Sequence, residues 1–355
     1  MEQDVYRKVQ EKLDDFGPGF PKSKEGLDIK ILKRIFTPEE AEMFTLMSPI
    51  LTAPGDVAAF FSLETEKTAE LLETMATKGQ LFRLRRGDTP KYAAVPFVVG
   101  VFEFQLNNLT KELSADLDAY YEEVFGKEIQ AHGTPILRTI PIDKSIVAQW
   151  PVAPYEDVIK ILEDQKKIAL APCVCRSMAE VNERGCGKPK EACFIFGAHA
   201  EYYVENKMGR FIELSEAKAI VEKGVEAGLV MQPFNSQKIG GMCSCCGCCC
   251  GVLRSLKMQP SPAEAVKSNY FAEVDEEECT GCEVCLDRCQ MEAITIDDVA
   301  AIDLNRCIGC GLCVPTCPTE AVHLVKKSEE DLYTPPLEGA QTYLEIMEAR
   351  GKSFF

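Results

Sequence analysis

Cysteine is missing from the whole chain before Cys173, although the 355 residues include 18 cysteines. Small secreted proteins built on disulfides carry cysteines throughout a short chain, so this distribution argues against a disulfide framework. Long apolar runs are missing too, since the longest, near residues 93–102, contains a proline and a glycine and is far short of the ~20 residues that span a bilayer. Residues 1–8 are charged and lack the apolar core of a secretory signal. We therefore expect a cytoplasmic protein with reduced cysteines and no membrane insertion.

Motifs for nucleotide binding are also missing. No G-x-G-x-x-G sequence follows a predicted strand, and the chain has no Walker loop and no flavin motif. The formal net charge is −17, from 39 Lys and Arg against 56 Asp and Glu, so the chain as a whole repels nucleic acid. The cysteines are therefore the leading candidates for chemistry, because thiolates clustered at short spacings in a reducing compartment are typical metal or cluster ligands.

Eight of the cysteines form an internal repeat with an offset of 28 residues (307 − 279). Each half reads C-x2-C-x2-C-x3-C, at residues 279–290 and again at 307–318. Three cysteines at this spacing can surround one corner of a [4Fe–4S] cubane, and the fourth ligates the other cluster. The spacing thus predicts one ligand set of Cys279, Cys282, Cys285 and Cys317 and a second of Cys307, Cys310, Cys313 and Cys289.

This repeat resembles the bacterial two-cluster ferredoxins over residues 273–326. The resemblance implies a pseudo-twofold module that binds two [4Fe–4S] clusters and passes electrons between them. Gly281 and Gly309 are expected to let the backbone approach a cluster and donate N–H bonds to sulfur. Gln290 stands where the family usually has proline, whereas Pro318 is present, which is expected to loosen the turn after Cys289 without removing a ligand. Structural zinc, the alternative, favours two cysteine pairs separated by a long gap.

A second group of cysteines lies in the middle of the chain. Its ten members are Cys173, Cys175, Cys186, Cys193, Cys243, Cys245, Cys246, Cys248, Cys249 and Cys250. Neighbours in the run at 243–250 point in different directions, so we expect them to serve different centres or to leave a thiol free. Ten thiols suffice for two further cubanes or for one cluster of unusual nuclearity. We expect at least one additional Fe–S cluster, with zinc and a dithiol/disulfide site as alternatives.

The Cys-Cys-Gly element of that run resembles the cysteine-rich domains of heterodisulfide reductases, which bind noncubane clusters. The long spacings of that family are missing here, so its function is not transferred. His199 is expected to be a partly buried, hydrogen-bonded residue, with cluster ligation as the alternative. Arg176 either donates to a cluster sulfur or pairs with a carboxylate.

The N-terminal part begins with a charged, partly helical segment and then resembles a winged helix over residues 37–102. Thr37 and Glu40 form a predicted capping box, further helices are predicted after Pro54 and over 64–78, and two strands are predicted at 81–84 and 92–98. Winged helices often bind DNA, but residues 64–91 hold six basic and five acidic residues. This balance favours a protein-docking role.

The fold class expected from these patterns is α+β, in several domains. The predicted boundaries are an N-terminal helical extension (1–35), a winged-helix-like domain (36–105), a connecting helical region (106–165), a cysteine-rich domain (166–258), a ferredoxin domain (270–326) and a tail (327–355). Within these regions we also expect helices over 109–125, 155–164, 215–228 and 344–349, and a strand near 136–142.

The function predicted from the sequence is iron–sulfur electron transfer in an anaerobe. Low-potential electrons would pass through the two ferredoxin clusters, and through one or two more, to a larger partner oxidoreductase. An electron carrier or oxidoreductase subunit is favoured over a free-standing enzyme. Two alternatives are a redox-sensing winged-helix regulator and a reductase subunit with a substrate-reducing centre at Cys243–Cys250.

Overall fold

The fold is known from a computed structural model, which describes residues 4–129, 133–145 and 152–353. Helices and strands are mixed, which fits the predicted α+β class. No helix within the described ranges is long and apolar enough to cross a bilayer.

The N-terminal part is helical and ends in a hairpin. Its elements are α1 (Val5–Asp14), α2 (Leu27–Ile35), α3 (Pro38–Leu46), α4 (Pro54–Phe61), α5 (Thr65–Thr77), β1 (Phe82–Leu84) and β2 (Lys91–Ala93). The capping box is confirmed, since Thr37 accepts from the Glu40 N–H and Glu40 accepts from the Thr37 N–H. The second strand is shorter than predicted and ends before the proline at position 96. The helices and hairpin follow the order expected for a winged helix, and that assignment stays a prediction.

The segment that follows contains short helices, α6 (Phe102–Phe104), α7 (Lys111–Tyr120), α8 (Gly126–Glu128) and α9 (Val158–Glu163). Helices were predicted over 109–125 and 155–164. The first continues past α7 as one wide turn over residues 121–125, and the second starts later because a 3-10 turn occupies residues 154–156. The predicted strand near 136–142 is wrong: Leu137 and Ile140 form only isolated bridges to the chain around 231–234.

The middle of the chain builds a five-stranded antiparallel sheet. Its elements in chain order are β3 (Ile168–Pro172), α10 (Val174–Val181), β4 (Glu191–Phe196), α11 (Gly197–Glu205), β5 (Arg210–Ile212), α12 (Leu214–Glu226), β6 (Val230–Pro233) and β7 (Gly241–Cys245). The strand order is β5-β3-β4-β7-β6. Helix α12, predicted over 215–228, runs from Leu214 to Glu226 and has Glu213 at its N-cap.

Beyond the sheet come α13 (Gly251–Met258) and α14 (Pro262–Ala265), and then the repeat that carries eight cysteines. That module contains β8 (Tyr270–Val274), α15 (Val284–Arg288), β9 (Ile294–Ile296), β10 (Ala300–Ile302) and β11 (Val322–Lys326), and α16 (Gly339–Ala349) follows it. β8 pairs with β11 and β9 with β10, so the two ends of the module meet and enclose the repeat.

One continuous apolar core runs from Val9 in α1 to Ile346 in α16 and includes Ile308 and Leu312 of the module. A separate small core lies inside the module, around Cys285 and Cys313. The inner part of the repeat therefore packs on the rest of the molecule. The predicted domain boundaries stay predictions.

Candidate metal centres

The two halves of the repeat surround two separate cavities. The cysteines that line one cavity are Cys279, Cys282, Cys285 and Cys317. Those that line the other are Cys289, Cys307, Cys310 and Cys313. These are the two sets that the sequence predicts, and each set lines a space instead of meeting at a point. Four thiols around a cavity fit a [4Fe–4S] group, because the cluster has to occupy the space between its ligands.

The repeat extends to the backbone conformation. Left-handed residues recur at the same offset, with Gly281 and Gly309 at φ 62° and 65° and Glu292 and Glu320 both at φ 57°. At Gly309 a Cβ atom would lie 2.1 Å from the carbonyl oxygen of Tyr270, so only glycine fits there. The repeated turns explain why the cysteines of each half point into a cavity.

Backbone N–H groups donate to several of these sulfurs. Ala272 N–H donates to Cys307 Sγ at 3.4 Å, Ala293 N–H to Cys289 Sγ at 3.2 Å and Ala300 N–H to Cys279 Sγ at 3.4 Å. Gly309 N–H also bonds to Cys307. N–H bonds to ligand sulfurs orient the thiolates and stabilise their charge.

Burial affects the inner thiols most. It raises the pKa of Cys310 to about 12 and that of Cys313 above its usual range. A thiol with so high a pKa stays protonated at neutral pH unless a metal supplies positive charge, so filling the cavity is coupled to proton release.

Gln290 makes a contact that its position in the motif does not predict. Its side-chain oxygen accepts a hydrogen bond from the Gly247 N–H at 2.9 Å. A Cβ atom at Gly247 would lie 2.5 Å from the Gln290 carbonyl oxygen, so a glycine is needed for the two chains to approach. At the position where the family has proline, this chain therefore has a side chain that joins the cavity lined by Cys289 to the central cysteine run.

The central cysteines are positioned by the sheet and by the loops at its end. Cys173 follows β3, Cys193 lies in β4, and Cys243 and Cys245 lie on one face of β7 because strand side chains alternate. The turn after β7 carries the remaining members of the run, and Cys186 comes from the loop between α10 and β4.

Four of these ten thiols form a closed set. Cys186, Cys246, Cys248 and Cys249 have all their sulfurs within 4.8 Å of one another. The sulfurs of Cys186 and Cys246 are 4.0 Å apart, and those of Cys248 and Cys249 are 3.8 Å apart. In the part of the chain that the structure describes, it is the one group of three or more Cys, His, Asp or Glu residues this compact. The set will be called the four-thiol site.

The other six thiols form an open set, called here the six-thiol site. Its members are Cys173, Cys175, Cys193, Cys243, Cys245 and Cys250. They contact one another in a chain: the sulfurs of Cys193 and Cys243 are 3.8 Å apart, and hydrogen bonds link Cys243 to Cys245 and Cys245 to Cys250. Cys173 bonds to Cys175. The set is too spread out to close on a single ion.

Two buried donors beside the six-thiol site have no partner among the described residues, namely Arg176 Nε and Gln232 Nε2. Gln232 also lies 3.8 Å from the Cys250 sulfur through its side-chain oxygen. The pKa of Cys173 is lowered to about 7, because Cys175 donates a hydrogen bond to it and Arg176 is nearby, against the opposing effect of burial. Buried donors without a partner, beside several sulfur atoms, fit an anionic sulfur-containing group.

The alternatives for Arg176 and His199 have different outcomes. Arg176 donates to the Cys246 sulfur at 3.7 Å and to the Ser244 carbonyl oxygen at 3.0 Å. Its sulfur partner is thus a cysteine of the four-thiol site, and donation to a cluster sulfur stays a prediction. His199 is exposed and stacks on Phe82, with ring centroids 4.7 Å apart.

Sequence reasoning missed the division of the ten cysteines into four and six. Cys245 and Cys246 are separated, as expected for neighbours, whereas Cys248 and Cys249 stay together in the four-thiol site. The contribution of Cys186 depends on a contact with Cys246 across 60 positions, and no local signal in the sequence reveals it.

Comparison with known proteins supports the iron–sulfur assignment. The family model described as a 4Fe-4S dicluster domain matches residues 278–321. Searches of curated proteins and of solved structures found no match. The match covers the repeat alone, so the chain contains a ferredoxin-like iron–sulfur domain beside a cysteine-rich region.

Proposed function

We propose that the protein relays low-potential electrons between a redox partner and a centre in its cysteine-rich region. The observation that carries this proposal is the pair of four-cysteine cavities, of which one faces the surface and the other faces the main core. When bound, [4Fe–4S] clusters supply one-electron transfer at these positions. The chain itself supplies the ligands, the N–H donors and the order of the centres.

The outer end is suited to docking. Cys282 and the apolar side chains of Val284 and Leu286 are exposed at the outer cavity, each of the latter two by 39%. Residues 271–287 contain seven acidic residues and no Lys or Arg, and the seven are exposed or half-buried: Glu273, Asp275, Glu276, Glu277, Glu278, Glu283 and Asp287. An exposed cavity with an acidic rim favours a partner with a basic docking surface.

The inner end leads into the cysteine-rich region. Cys289 of the inner cavity is followed by Gln290, which contacts Gly247 in the central run. We assign a third cluster to the six-thiol site, because its thiols and the unpartnered donors of Arg176 and Gln232 lie around one region. The proposed order is therefore partner, outer cluster, inner cluster and six-thiol centre.

The hairpin of the N-terminal part gives little support to a DNA-binding regulator. Arg83 is 4% exposed and pairs with Glu73 at 2.7 Å and Glu205 at 2.9 Å. Arg85 bonds to the same two carboxylates. Charges neutralised in this way are poor phosphate partners, so these contacts favour a structural role for the hairpin.

The test is the iron and acid-labile sulfide content of the full chain, with redox titration followed by EPR spectroscopy. We expect about eight irons from the repeat and about four more from the six-thiol site, each matched by sulfide. Three low-potential EPR signals support the relay. Iron limited to about eight, with only two reducible clusters, would show that the six-thiol site holds no cluster. That result would overturn the proposed relay.

A further inference from the structure

The four-thiol site differs in kind from the cluster cavities. We propose that Cys186, Cys246, Cys248 and Cys249 bind a single Zn²⁺ ion as a closed tetrathiolate site. The inference is independent of the electron relay, because zinc has no redox chemistry.

The first argument is the distance between sulfurs. In a tetrahedral site with Zn–S bonds of about 2.3 Å, neighbouring sulfurs lie about 3.8 Å apart. The observed separations of 4.0 Å for Cys186 and Cys246 and 3.8 Å for Cys248 and Cys249 correspond to that edge. The limit of 4.8 Å for the whole set leaves space for one ion.

The second argument is the contrast with the ferredoxin-like repeat of the same chain. There each set of four cysteines lines a cavity, as a group of four irons and four sulfides requires. In the four-thiol site all four sulfurs lie within 4.8 Å of one another, so a cubane cannot enter without moving the loops apart. In the six-thiol site single pairs such as Cys193 and Cys243 are in contact, but the set as a whole stays open. The comparison indicates a mononuclear ion.

The third argument is charge. Four thiolates and one divalent ion carry a net charge of −2. Cys248 is exposed, but Cys246 and Cys249 are buried, and negative charge on their side of the site is costly without a counter-charge. Arg176, itself 3% exposed, places a guanidinium nitrogen 3.7 Å from the Cys246 sulfur and is held in place by the Ser244 carbonyl oxygen. A closed set of four cysteines with no open position is the donor set of structural zinc.

The site has a mechanical consequence. It joins the loop that holds Cys186 to the turn after β7, and that turn carries Gly247, whose N–H binds Gln290. A zinc ion at this position would hold the turn to which Gln290, the residue after Cys289 of the inner cavity, is bonded. The ion would thus support one of the contacts between the ferredoxin-like module and the cysteine-rich region.

The test uses the full chain, prepared without oxygen from iron-rich medium, with EPR signals of both ferredoxin clusters verified in the same sample. Elemental analysis is expected to give about one zinc per chain, and zinc X-ray absorption about four sulfur neighbours at about 2.3 Å. This measurement on the unmodified protein does not depend on the folding of any variant.

Variants then locate the ion. Cys246→Ser and Cys248→Ser are expected to lose most of the zinc, whereas Cys193→Ser, a matched change in the six-thiol site, is expected to keep it. Absence of zinc together with iron matched by sulfide at these cysteines would show a cluster and overturn the proposal. One iron without sulfide would overturn the assignment to zinc, and so would loss of zinc in Cys193→Ser alone.

Discussion

The two halves of the repeat, 279–290 and 307–318, share their cysteine spacing and their left-handed turns, yet the loops that hold their first three cysteines lie in different surroundings. The first three cysteines of the first half face an exposed acidic loop, whose hydrogen bonds, such as Asp275 N–H to the Ala321 carbonyl oxygen, stay within the module. The second half lies against the main core. There the Cys310 carbonyl oxygen accepts from Ile142 N–H at 3.1 Å, and Gly311 packs on Ser145. Spacing determines which cysteines line each cavity, and the flanking residues determine which cavity is exposed and which lies against the core.

Removing one ligand from each half tests this difference most strongly. Cys310→Ala and Cys282→Ala are each expected to lose up to about four of the repeat's eight or so irons, with one of its two EPR signals. Cys310→Ala should lower the Tm more, because the inner cluster forms next to the main core and its binding free energy is folding free energy. Iron analysis and calorimetry on both full-length variants measure this. An equal fall in Tm would show that the inner cavity is not coupled to the core.

The acidic rim is expected to have the next largest effect. Replacing Glu276, Glu277 and Glu278 by Gln should slow electron transfer to a basic c-type cytochrome by about tenfold at low salt, because electrostatic steering is lost. The difference should vanish at high ionic strength. Stopped-flow mixing measures the rates.

A matched control for the rim removes the same charge elsewhere, with Glu39, Glu42 and Glu70 changed to Gln on the N-terminal helices. This variant should transfer electrons at nearly the unmodified rate. If both triple variants slow transfer equally, total charge and not the rim controls docking.

The contact between Gln290 and Gly247 can be used to test how the inner cavity is joined to the central cysteines. Gln290→Ala removes the acceptor of a half-buried N–H and should cost about 1 kcal/mol locally. Hydrogen exchange of the Gly247 amide should then be about fivefold faster. Pro318→Gln, the equivalent position in the other half, should leave that amide unchanged. If the Gly247 amide exchanges at an unchanged rate in Gln290→Ala, other contacts hold the ferredoxin-like module to the central cysteine run.

A smaller effect is expected at the turn where the halves differ in sequence. Glu283 has φ 66°, and the equivalent Gly311 has φ 73°. Glu283→Gly should stabilise the outer loop by roughly 0.5 kcal/mol, because glycine adopts this conformation without strain, although greater freedom of the unfolded chain offsets part of the gain. Thermal unfolding of the holoprotein measures it. A decrease in Tm would show that the Glu283 side chain stabilises the loop.

The smallest effect concerns the ion pair between Glu292 and Lys257, 2.7 Å apart. The hydrogen bond and charge of Lys257 lower the pKa of Glu292. Since the folded pKa lies below the unfolded one, the pair stabilises the fold above the unfolded pKa of about 4.3, and this contribution is lost as pH falls through the folded pKa. Glu292→Gln should flatten the fall of Tm between about pH 5 and pH 3, whereas Glu320→Gln should not. If Tm falls with pH in parallel in the unmodified protein and in both variants, the ion pair contributes nothing to stability.

The sequence predicts local features well where a few adjacent residues determine them. The capping box at Thr37 and Glu40 is confirmed because hydrogen bonds within one turn specify it. Helix α5 is confirmed because its apolar residues, such as Leu72 and Ala76, recur at helical spacing and are buried. The strand expected near Ile140 is wrong because extended residues form a strand only when a partner pairs with them over several positions, and here the neighbour is met at isolated bridges.

For the candidate metal centres, the sequence alone determined which four cysteines of the repeat line each cavity, because each loop holds its three cysteines at fixed spacing and the repeat adds the fourth. The division of the ten central cysteines was decided only by the tertiary structure. Cys186 meets Cys246, and Cys193 meets Cys243, across 60 and 50 positions of chain. Pairing of β4 with β7 and the path of the loop after α10 bring these sulfurs together. Spacing along the chain cannot show such contacts, because they depend on which strands become neighbours.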